Sequence, residues 1–203
     1  ISLYNKAPYV RRAIDSVLTQ TFSEYEIIVV NDGSTDGGEE IVEKEFGDQI
    51  QLVYQSNHGV SVARNTGIAL AKFPWIAFLD ADDYWNPSFL DHIKYGIEQY
   101  PDIKMIGTSY SSLSVSEKIE DYEIDLITDY FKVADYNTLF TSSSTVINRS
   151  FFEKNRGFKS ELVFGEDVDV WFRAFSWFGK AAYIPVPLMY YDLGASSSTK
   201  SVP

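Results

Sequence analysis

Apolar residues recur at intervals of three and four positions between Val10 and Phe22, with charged residues between them. This spacing predicts an amphipathic helix. The next apolar segment has a different pattern, because Ile27 to Val30 form an unbroken β-branched run that ends in Asn-Asp-Gly-Ser. Such a run predicts a strand that is buried on both faces and stops in a turn.

The same two patterns alternate through the rest of the first half. We expect a second helix that is capped by Ser34 or Asp36 and runs through Phe46. Further strands are predicted at Ile50 to Tyr54, Trp75 to Leu79 and Lys104 to Ser109, and further helices at Ser61 to Ala71 and Pro87 to Tyr100. The first strand is represented by Ile1 to Leu3. This alternation predicts an α/β fold with a Rossmann-like, mostly parallel central sheet flanked by helices.

The pattern changes near Ser109. The segment to Ser116 is serine-rich and the segment to Asp125 is acidic, which is typical of an irregular surface region rather than a linker between domains. Beyond it we predict a helix at Ile124 to Val133, a strand at Thr145 to Asn148, a helix at Asp167 to Phe178, and strands at Ala181 to Ile184 and Leu188 to Tyr191. A single domain over 1–203 is therefore expected, with halves at 1–108 and 109–195 and a loosely ordered tail at 196–203.

Composition narrows the classes of function. The chain has 203 residues with 17 basic and 29 acidic side chains, a net charge of −12, which argues against a nucleic-acid partner. Cysteine is absent, so disulfides, thiolate zinc sites and cysteine nucleophiles are excluded, and two histidines cannot form a three-histidine metal site. The longest apolar runs are far shorter than a membrane span. These features predict a cytoplasmic protein whose membrane contact is at most peripheral, at the inner face.

Polar clusters follow the predicted strands, at the edge of an open α/β sheet where ligands bind. They comprise Tyr4 to Lys6, Asn31 to Ser34, Asn57 to Gly59 and Asp80 to Asp83. Asp80 and Asp82 leave a buried strand as carboxylates at i and i+2, a pair that can chelate one hard cation such as Mg²⁺ or Mn²⁺. Helix capping and turn formation before Pro87 are the alternative, and for the pair alone they are the more common role.

Five motifs occur in one order along the chain. They are Tyr4-Asn5-Lys6, Val30 to Asp36, Gly59 to Gly67, Phe78 to Asp83, and Gly165-Glu166-Asp167 followed by Trp171 and Arg173. In this order and spacing the chain resembles the family 2 inverting glycosyltransferases of the GT-A fold, from Ile1 to about Tyr191.

The resemblance implies a GT-A fold in which 1–108 form a nucleotide-binding half and 109–195 a smaller mixed acceptor-side region. It implies metal-dependent transfer of a hexosyl or N-acetylhexosaminyl group from a nucleotide diphosphate sugar, with UDP as the expected nucleotide. The implied acceptor is a hydroxyl of a carbohydrate or a lipid-linked molecule, in the synthesis of a cell-surface polysaccharide or glycolipid.

Four residues have implied roles on the nucleobase side of the donor. Asp32 resembles the aspartate that accepts a hydrogen bond from the uracil ring. Tyr4 resembles the aromatic residue that stacks near the base, with Asn5 beside it, and the hydroxyl of Ser2 is a further candidate contact to the base. An Asx-turn with Gly33 is the alternative role of Asp32, and it is compatible with base binding.

Four more residues have implied roles on the phosphate side. Arg64 resembles the arginine that meets the phosphate or ribose, a task suited to a planar fork of donors. An ordinary charge on a helix surface is its alternative. Asp80 resembles the residue on the ribose side of the metal, and Asp82 the direct ligand of Mn²⁺ or Mg²⁺, which would stabilise the departing diphosphate. Asp83 is the reserve ligand.

Glu166 and Asp167 open a predicted helix in the second half. In the resembled family the aspartate deprotonates the acceptor hydroxyl, so Asp167 is the implied base and Glu166 its neighbour in the acceptor or donor pocket. Carboxylates that are merely stabilised by the helix N-terminus are the alternative. Trp171 either lines the sugar site or belongs to the core.

The chain departs from the family pattern near its end. Many relatives carry a late histidine or arginine near the diphosphate, whereas this chain has Tyr190 to Leu193 and then Lys200.

Other classes of function lack the residues that they need. A hydrolase elbow would need a later Asp and His, and His92 lies inside a predicted helix. Neither a P-loop nor the basic glycine-rich loop of a nucleotidyltransferase occurs. A GT-A domain that binds a nucleotide sugar without turnover stays open, as do the donor sugar, the acceptor and the oligomeric state.

Overall fold

The computed structural model describes residues 1–113, 119, 121–134 and 139–194. The expectation of a loose tail at 196–203 and the candidate Lys200 therefore lie outside the described residues, as does most of the serine-rich segment after Ser111.

Strands and helices alternate in the first half, as the apolar pattern predicts. In chain order the elements are β1 (Ser2–Leu3), α1 (Ala7–Leu18), β2 (Ile28–Asp32), α2 (Gly38–Phe46), β3 (Gln51–Gln55), α3 (Val60–Leu70), β4 (Trp75–Ala77), β5 (Tyr84–Trp85) and α4 (Phe89–Gln99). The strand β6 (Met105–Ser111) spans the boundary between the halves, and the second half contains β7 (Asp125–Ile127), α5 (Tyr130–Ala134), a 3₁₀ turn (Ser142–Ser144), β8 (Thr145–Asn148), α6 (Ser150–Lys154), α7 (Glu166–Phe178) and β9 (Ala181–Tyr190).

Two sheets organise the described residues. The first has the parallel order β1-β2-β3, in which Ser2 is opposite Val30. The second has six strands in the order β4-β8-β6-β9-β5, with β7 paired to β9, and combines a parallel β6–β9 pair with antiparallel neighbours. A parallel bridge between Ser2 and Asp80 joins β1 to the loop after β4. The expected α/β fold is confirmed, and the mixed pairing belongs to the six-stranded sheet.

The predicted helix at Ile124 to Val133 is wrong. Residues Asp125 to Ile127 pair instead with Ala181 to Tyr183 as an antiparallel strand. The chain becomes helical only at Tyr130, where the preceding Asp129 accepts the Lys132 amide at 3.3 Å. The long-range strand pairing overrides the local apolar spacing.

The last two predicted strands form one strand, β9. Its two prolines cannot donate hydrogen bonds to a neighbouring strand. The pairing of β6 with β9 shifts register on both sides of Ser109, between the partners Thr108–Ile184 and Ser109–Pro187. This irregularity accommodates Pro185 and Pro187 without ending the strand. The strand β6 continues to Ser111, two residues beyond its predicted end at Ser109.

The start of α2 also differs from the prediction. Its N-cap is Gly37, whose φ of 80° is the left-handed conformation that glycine adopts at little cost. Asp36 still contributes, because its carboxylate accepts the Gly38 amide at 3.0 Å and the Ala7 amide at 2.8 Å. One side chain thereby joins the starts of α1 and α2.

Apolar side chains form two clusters. The first combines Leu3 and Val29 of the first half with Val146 and Ala182 of the second, so both halves contribute to it. The second surrounds Trp171, which is fully buried and lies 5.8 Å, ring to ring, from both Phe78 and Phe158. Trp171 therefore belongs to the core and does not line a sugar site. None of the described helices is long and apolar enough to cross a bilayer.

Candidate active site

The ends of β1 and β2, the loop after β4, the start of α7 and the end of β9 enclose a cleft of about 810 Å³. Its charged lining consists of the cations Lys6 and Arg64 and the carboxylates Asp32, Asp80, Asp82, Asp83, Glu166, Asp167 and Asp192. The motifs predicted at the strand ends and at the start of α7 thus converge on one cavity. The excess of carboxylates gives this cavity a negative lining.

Arg64 connects the two halves of the chain across the cleft. Its Nη2 donates to both oxygens of Asp80, at 2.8 and 3.1 Å, and its Nη1 donates to Glu166 at 2.9 Å. Arg64 is 7% exposed, so these are buried ion pairs and not the surface charge of an ordinary helix. Burial lowers the pKa of Arg64, but the coulombic and hydrogen-bonding effects of Asp80 and the charge of Glu166 outweigh it, and the pKa is raised overall.

Asp80 is held in its ionised form by the same contacts. Burial would raise its pKa, but the charge and hydrogen bonds of Arg64 and the hydroxyl of Ser2, 3.2 Å from Oδ1, keep the pKa below its usual value. Ser2, predicted to contact the base, therefore donates to Asp80. The arrangement fixes Asp80 at the edge of the cleft as an anion.

Asp82 and its loop are held by two basic residues of the α1 region. Lys6, at the N-cap of α1, places its Nζ 2.6 Å from Oδ2 of Asp82. Arg12 donates to the backbone carbonyl of Asp82 at 2.7 Å and to the Asp192 carboxylate at 2.9 Å. The lysine thus pairs with the carboxylate, while the arginine positions the backbone and ties it to the segment after β9.

Asp83 is buried and forms hydrogen bonds with residues of the second half. Its Oδ2 accepts the Ser143 hydroxyl at 2.5 Å, and its Oδ1 accepts the Asp192 amide at 3.1 Å. Burial and the charge of Asp80 raise the pKa of Asp83 to about 7. Ser143 also accepts the Asp80 amide at 3.0 Å. The 3₁₀ turn of the second half therefore positions the acidic loop, which consists of Asp80 to Asp83.

Asp167 differs from the other carboxylates in its electrostatic surroundings. It follows Gly165, whose φ of 71° permits the turn into α7. Burial is the largest cause that raises its pKa, and the charge of Glu166 raises it further, against smaller opposing effects of the Val168 amide and Arg64. Ser142 lies 3.5 Å from Oδ2, and within the described part of the chain no lysine or arginine forms an ion pair with Asp167.

Asp32 is almost completely buried and already has three donors. Gln55 Nε2 donates to Oδ1 at 2.7 Å, the His58 amide to Oδ1 at 2.9 Å and the Gly59 amide to Oδ2 at 2.8 Å. A carboxylate offers about four acceptor positions, so one remains for a ligand. In this structure Asp32 shapes the loop that leads into α3, and its expected contact with a nucleobase stays a prediction.

Tyr4 and Asn5, its neighbour, have different surroundings. Tyr4 lines the cleft and is 48% exposed, as a stacking residue requires. Asn5 is absent from the cleft lining, and its side chain accepts the Thr35 amide at 2.8 Å. Its φ of 51° lies in the left-handed region that asparagine tolerates. The structure thus gives Asn5 a role in the turn before α1, and its contact with the nucleotide stays a prediction.

Several residues of the site lack a signal in the sequence. Lys6 appeared within a motif but without a role of its own, and the serines of the 3₁₀ turn lie in a region without a recognisable motif. Tyr191 and Asp192 line the cleft at the point where the chain departs from the family pattern. Lys6, Ser143 and Asp192 contact Asp82 or Asp83, from which they are at least 60 positions apart in the sequence.

The acidic loop has the donor chemistry of a site for a hard cation. Its carboxylate oxygens are the ligands that Mg²⁺ and Mn²⁺ prefer, and the mutual charge of Asp80, Asp82 and Asp83 contributes to the raised pKa of Asp83. Within the described ranges, no three histidine or acidic side chains are already arranged around a metal position. The ligand atoms of the acidic loop therefore suit a divalent cation. In this structure Lys6 pairs with one of these carboxylates, that of Asp82.

A model of a protein family, described as Glycosyl transferase family 2, matches residues 1–162. The chain belongs to glycosyltransferase family 2. The match includes the strand-end motifs and ends before Glu166 and Asp167 in the second half of the chain.

Curated relatives of this family 2 chain are themselves named glycosyltransferases. The putative glycosyltransferase EpsH of Bacillus subtilis is 27% identical over 212 residues, which cover 97% of this chain and 60% of the relative. Glycosyltransferase GlyA of Streptococcus pneumoniae is 36% identical over 143 residues, 69% of this chain and 20% of the relative. The chain thus spans less than two thirds of the length of either relative.

Solved structures with the same fold include two that contain nucleotide sugars. Residues 1–349 of Staphylococcus aureus TarS in complex with UDP-GlcNAc superpose with a TM-score of 0.82 at 21% identity, covering 100% of this chain and 60% of that one. The mannosyltransferase PcManGT of Pyrobaculum calidifontis, in complex with GDP-Man and Mn²⁺, gives a TM-score of 0.71 at 18% identity, covering 98% and 57%. These similarities show that the family 2 chain has the GT-A fold.

Proposed function

We propose that this family 2 domain is an inverting glycosyltransferase that moves a sugar from a UDP-sugar to an acceptor hydroxyl, with Asp167 as the general base. The observation that carries the proposal is the Arg64 bridge. One guanidinium joins Asp80, at the strand ends, to Glu166, next to Asp167. The bridge brings donor-side and acceptor-side carboxylates into one cleft, which a transfer between two substrates requires.

The donor is assigned to the wall formed by the ends of β1 and β2. Tyr4 offers an exposed ring for the base, and the free acceptor position of Asp32 offers a site for a ring N–H. This pairing favours uracil over guanine, whose ring is larger and presents a different donor pattern. The complex of TarS with UDP-GlcNAc supports the same choice, and that of PcManGT with GDP-Man defines the competitor to test.

Asp80 and Asp82 are the residues that would hold Mn²⁺ or Mg²⁺. A bound divalent cation neutralises phosphate oxygens and stabilises the departing diphosphate. The negative lining of the cleft supports this assignment, because an anionic diphosphate would otherwise be repelled by Asp80, Asp82 and Asp83.

On the acceptor side, the carboxylate of Asp167 takes the proton of the acceptor hydroxyl. The hydroxyl oxygen then forms a bond to the anomeric carbon from the face opposite the diphosphate, while the bond from that carbon to the diphosphate oxygen breaks. The configuration inverts, and the nucleoside diphosphate leaves with the electron pair. The raised pKa of Asp167 supports its assignment as base, since a more basic carboxylate accepts a proton more readily. A carbohydrate or lipid-linked acceptor, in polysaccharide or glycolipid synthesis, completes the proposal.

The test measures binding and turnover on one preparation. Titration calorimetry with UDP, TDP and GDP, each with and without Mn²⁺, should show tightest binding of UDP or TDP with Mn²⁺. Incubation with a UDP-sugar should release UDP slowly in the presence of Mn²⁺. Tighter binding of GDP would overturn the nucleobase assignment, and equal affinities without Mn²⁺ would overturn the metal assignment. Binding of a UDP-sugar without any release of UDP would favour a catalytically silent domain.

A further inference from the structure

Two cations line the cleft, and they are held very differently. The guanidinium of Arg64 is 6% exposed and forms ion pairs with two carboxylates from two halves of the chain. Lys6 ends in a compact ammonium on a flexible four-carbon stem, and its side chain is 16% exposed. Arg64 is therefore a fixed part of the site, whereas Lys6 is able to change partner.

The backbone around Lys6 is held by contacts that do not involve its side chain. The Lys6 carbonyl accepts the amides of Tyr9 and Val10 at 2.9 and 3.0 Å and so anchors the first turn of α1. The Arg12 contact to the Asp82 carbonyl fixes the opposite side, so that the acidic loop does not depend on Lys6 for its position. A rotation of the lysine side chain thus leaves both its own backbone and that of Asp82 in place.

The ammonium of Lys6 contacts the same carboxylate that is assigned to the metal. Its Nζ is 2.6 Å from Oδ2 of Asp82. A divalent cation binds carboxylate oxygens at about 2.0 to 2.6 Å. An ammonium and a metal ion therefore compete for this oxygen, and they repel one another if both remain at Asp82.

We propose that Lys6 exchanges counter-ions during donor binding: it neutralises Asp82 in the ligand-free protein, is displaced by the divalent cation, and then pairs with the diphosphate. This inference rests on the proposed function, because it takes the donor diphosphate and the metal as ligands of this cleft. It makes Lys6 a residue that opposes metal binding on its own and supports nucleotide binding once the metal is present.

The test is a pair of binding measurements on the Lys6→Met variant, which keeps the aliphatic stem and removes the charge. Without nucleotide, Mn²⁺ monitored by electron paramagnetic resonance should bind about tenfold tighter than to the parent protein, since a competing charge is gone. With saturating Mn²⁺, UDP measured by calorimetry should bind about tenfold weaker, since a phosphate partner is lost. Changes of opposite sign are not expected from a loss of structure, which weakens both.

Lys180→Met is the matched control. Lys180 precedes β9, lies outside the cleft lining and forms an ion pair with Asp102 at 3.7 Å, so the variant loses the same charge and one lysine–aspartate pair. Both affinities of this variant should stay within about twofold of the parent values. Lys6→Arg keeps the charge and should keep Mn²⁺ binding close to that of the parent.

Two results would overturn the proposal. If Lys6→Met leaves Mn²⁺ affinity unchanged or weaker, Lys6 does not compete with the metal. If UDP affinity at saturating Mn²⁺ is unchanged, the lysine does not pair with the diphosphate. In both cases a parent protein that binds UDP with Mn²⁺ leaves the proposed function standing, whereas a parent that binds neither ligand overturns the function and this inference together.

Discussion

Asp32 is buried and Asp167 is partly buried at the edge of the same cleft, and their surroundings differ. Asp32 belongs to the first half of the chain, where two backbone amides and the Gln55 side chain donate to it. Asp167 belongs to the second half, where its partners are the Val168 amide and the distant Ser142 hydroxyl.

The difference shows how the two halves use negative charge. In the first half, donors hold carboxylates such as Asp32 and Asp80 in one orientation, which suits recognition of a ligand. In the second half, burial and the neighbouring Glu166 raise the pKa of Asp167, which suits proton transfer. Four variants can break or sharpen this comparison, and they are taken in order of expected effect.

Asp167→Asn should have the largest effect on transfer. The amide keeps the shape of the side chain at the start of α7 but accepts no proton, so transfer should fall by about 10²-fold or more while UDP affinity changes little. Transfer rate and UDP affinity are to be measured on the same preparation. Glu166→Gln is the control, and it should retain most of the activity at neutral pH. If the Glu166 variant is inactive and the Asp167 variant is active, Glu166 is the base.

Asp82→Asn should have the second largest effect, on metal-dependent binding. Loss of a direct ligand should weaken UDP binding in the presence of Mn²⁺ by about 10- to 100-fold, and much less in its absence. Asp83→Asn is the matched control, because Asp83 points to Ser143 and the Asp192 amide. A larger effect of the Asp83 variant would move the metal ligand to Asp83.

Asp32→Asn should reduce stability more than turnover. The new amide group would face the donor groups of Gln55, His58 and Gly59, so the free energy of unfolding should fall by about 1–3 kcal/mol in urea titration. Asp36→Asn is the comparison, since Asp36 also accepts two backbone amides but is exposed and lies outside the cleft. Equal decreases in the free energy of unfolding of both variants would mean that burial does not make the contacts of Asp32 more stabilising than those of Asp36.

The features that could be predicted from the sequence lie mainly in the first half of the chain. The strand ends with Asp32 and Asp80 were predictable, because buried β-branched runs locate the strands and the polar residues that follow them lie at one sheet edge. The core position of Trp171 and the structure of the segment at 124–133 were not predictable. The first depends on packing against Phe78, and the second on strand pairing with β9. Local periodicity contains no information about such partners.

The residues around the acidic loop show the same limit at the site. The Ser143 hydroxyl reaches Asp83 across 60 positions of sequence, and Lys6 reaches Asp82 across 76. Neither residue has a pattern that predicts its partner. The motifs thus located the site, but the groups that neutralise and orient its carboxylates became visible only in the folded chain.

The smallest expected effect concerns the pH dependence of transfer. Transfer needs Asp167 ionised, so the rate is full above the pKa of Asp167 and falls as the pH drops through it. Burial raises that pKa above the value of 3.8 for a free aspartate, and the charge of Glu166 raises it further. Glu166→Gln removes the second cause, so the pKa falls and the acid limb of the rate profile should move to lower pH. Asp169→Asn, two residues away and paired with Lys159 and Arg173 outside the cleft, should leave the limb in place. A limb that stays fixed in the Glu166 variant would show that burial alone sets the basicity of Asp167.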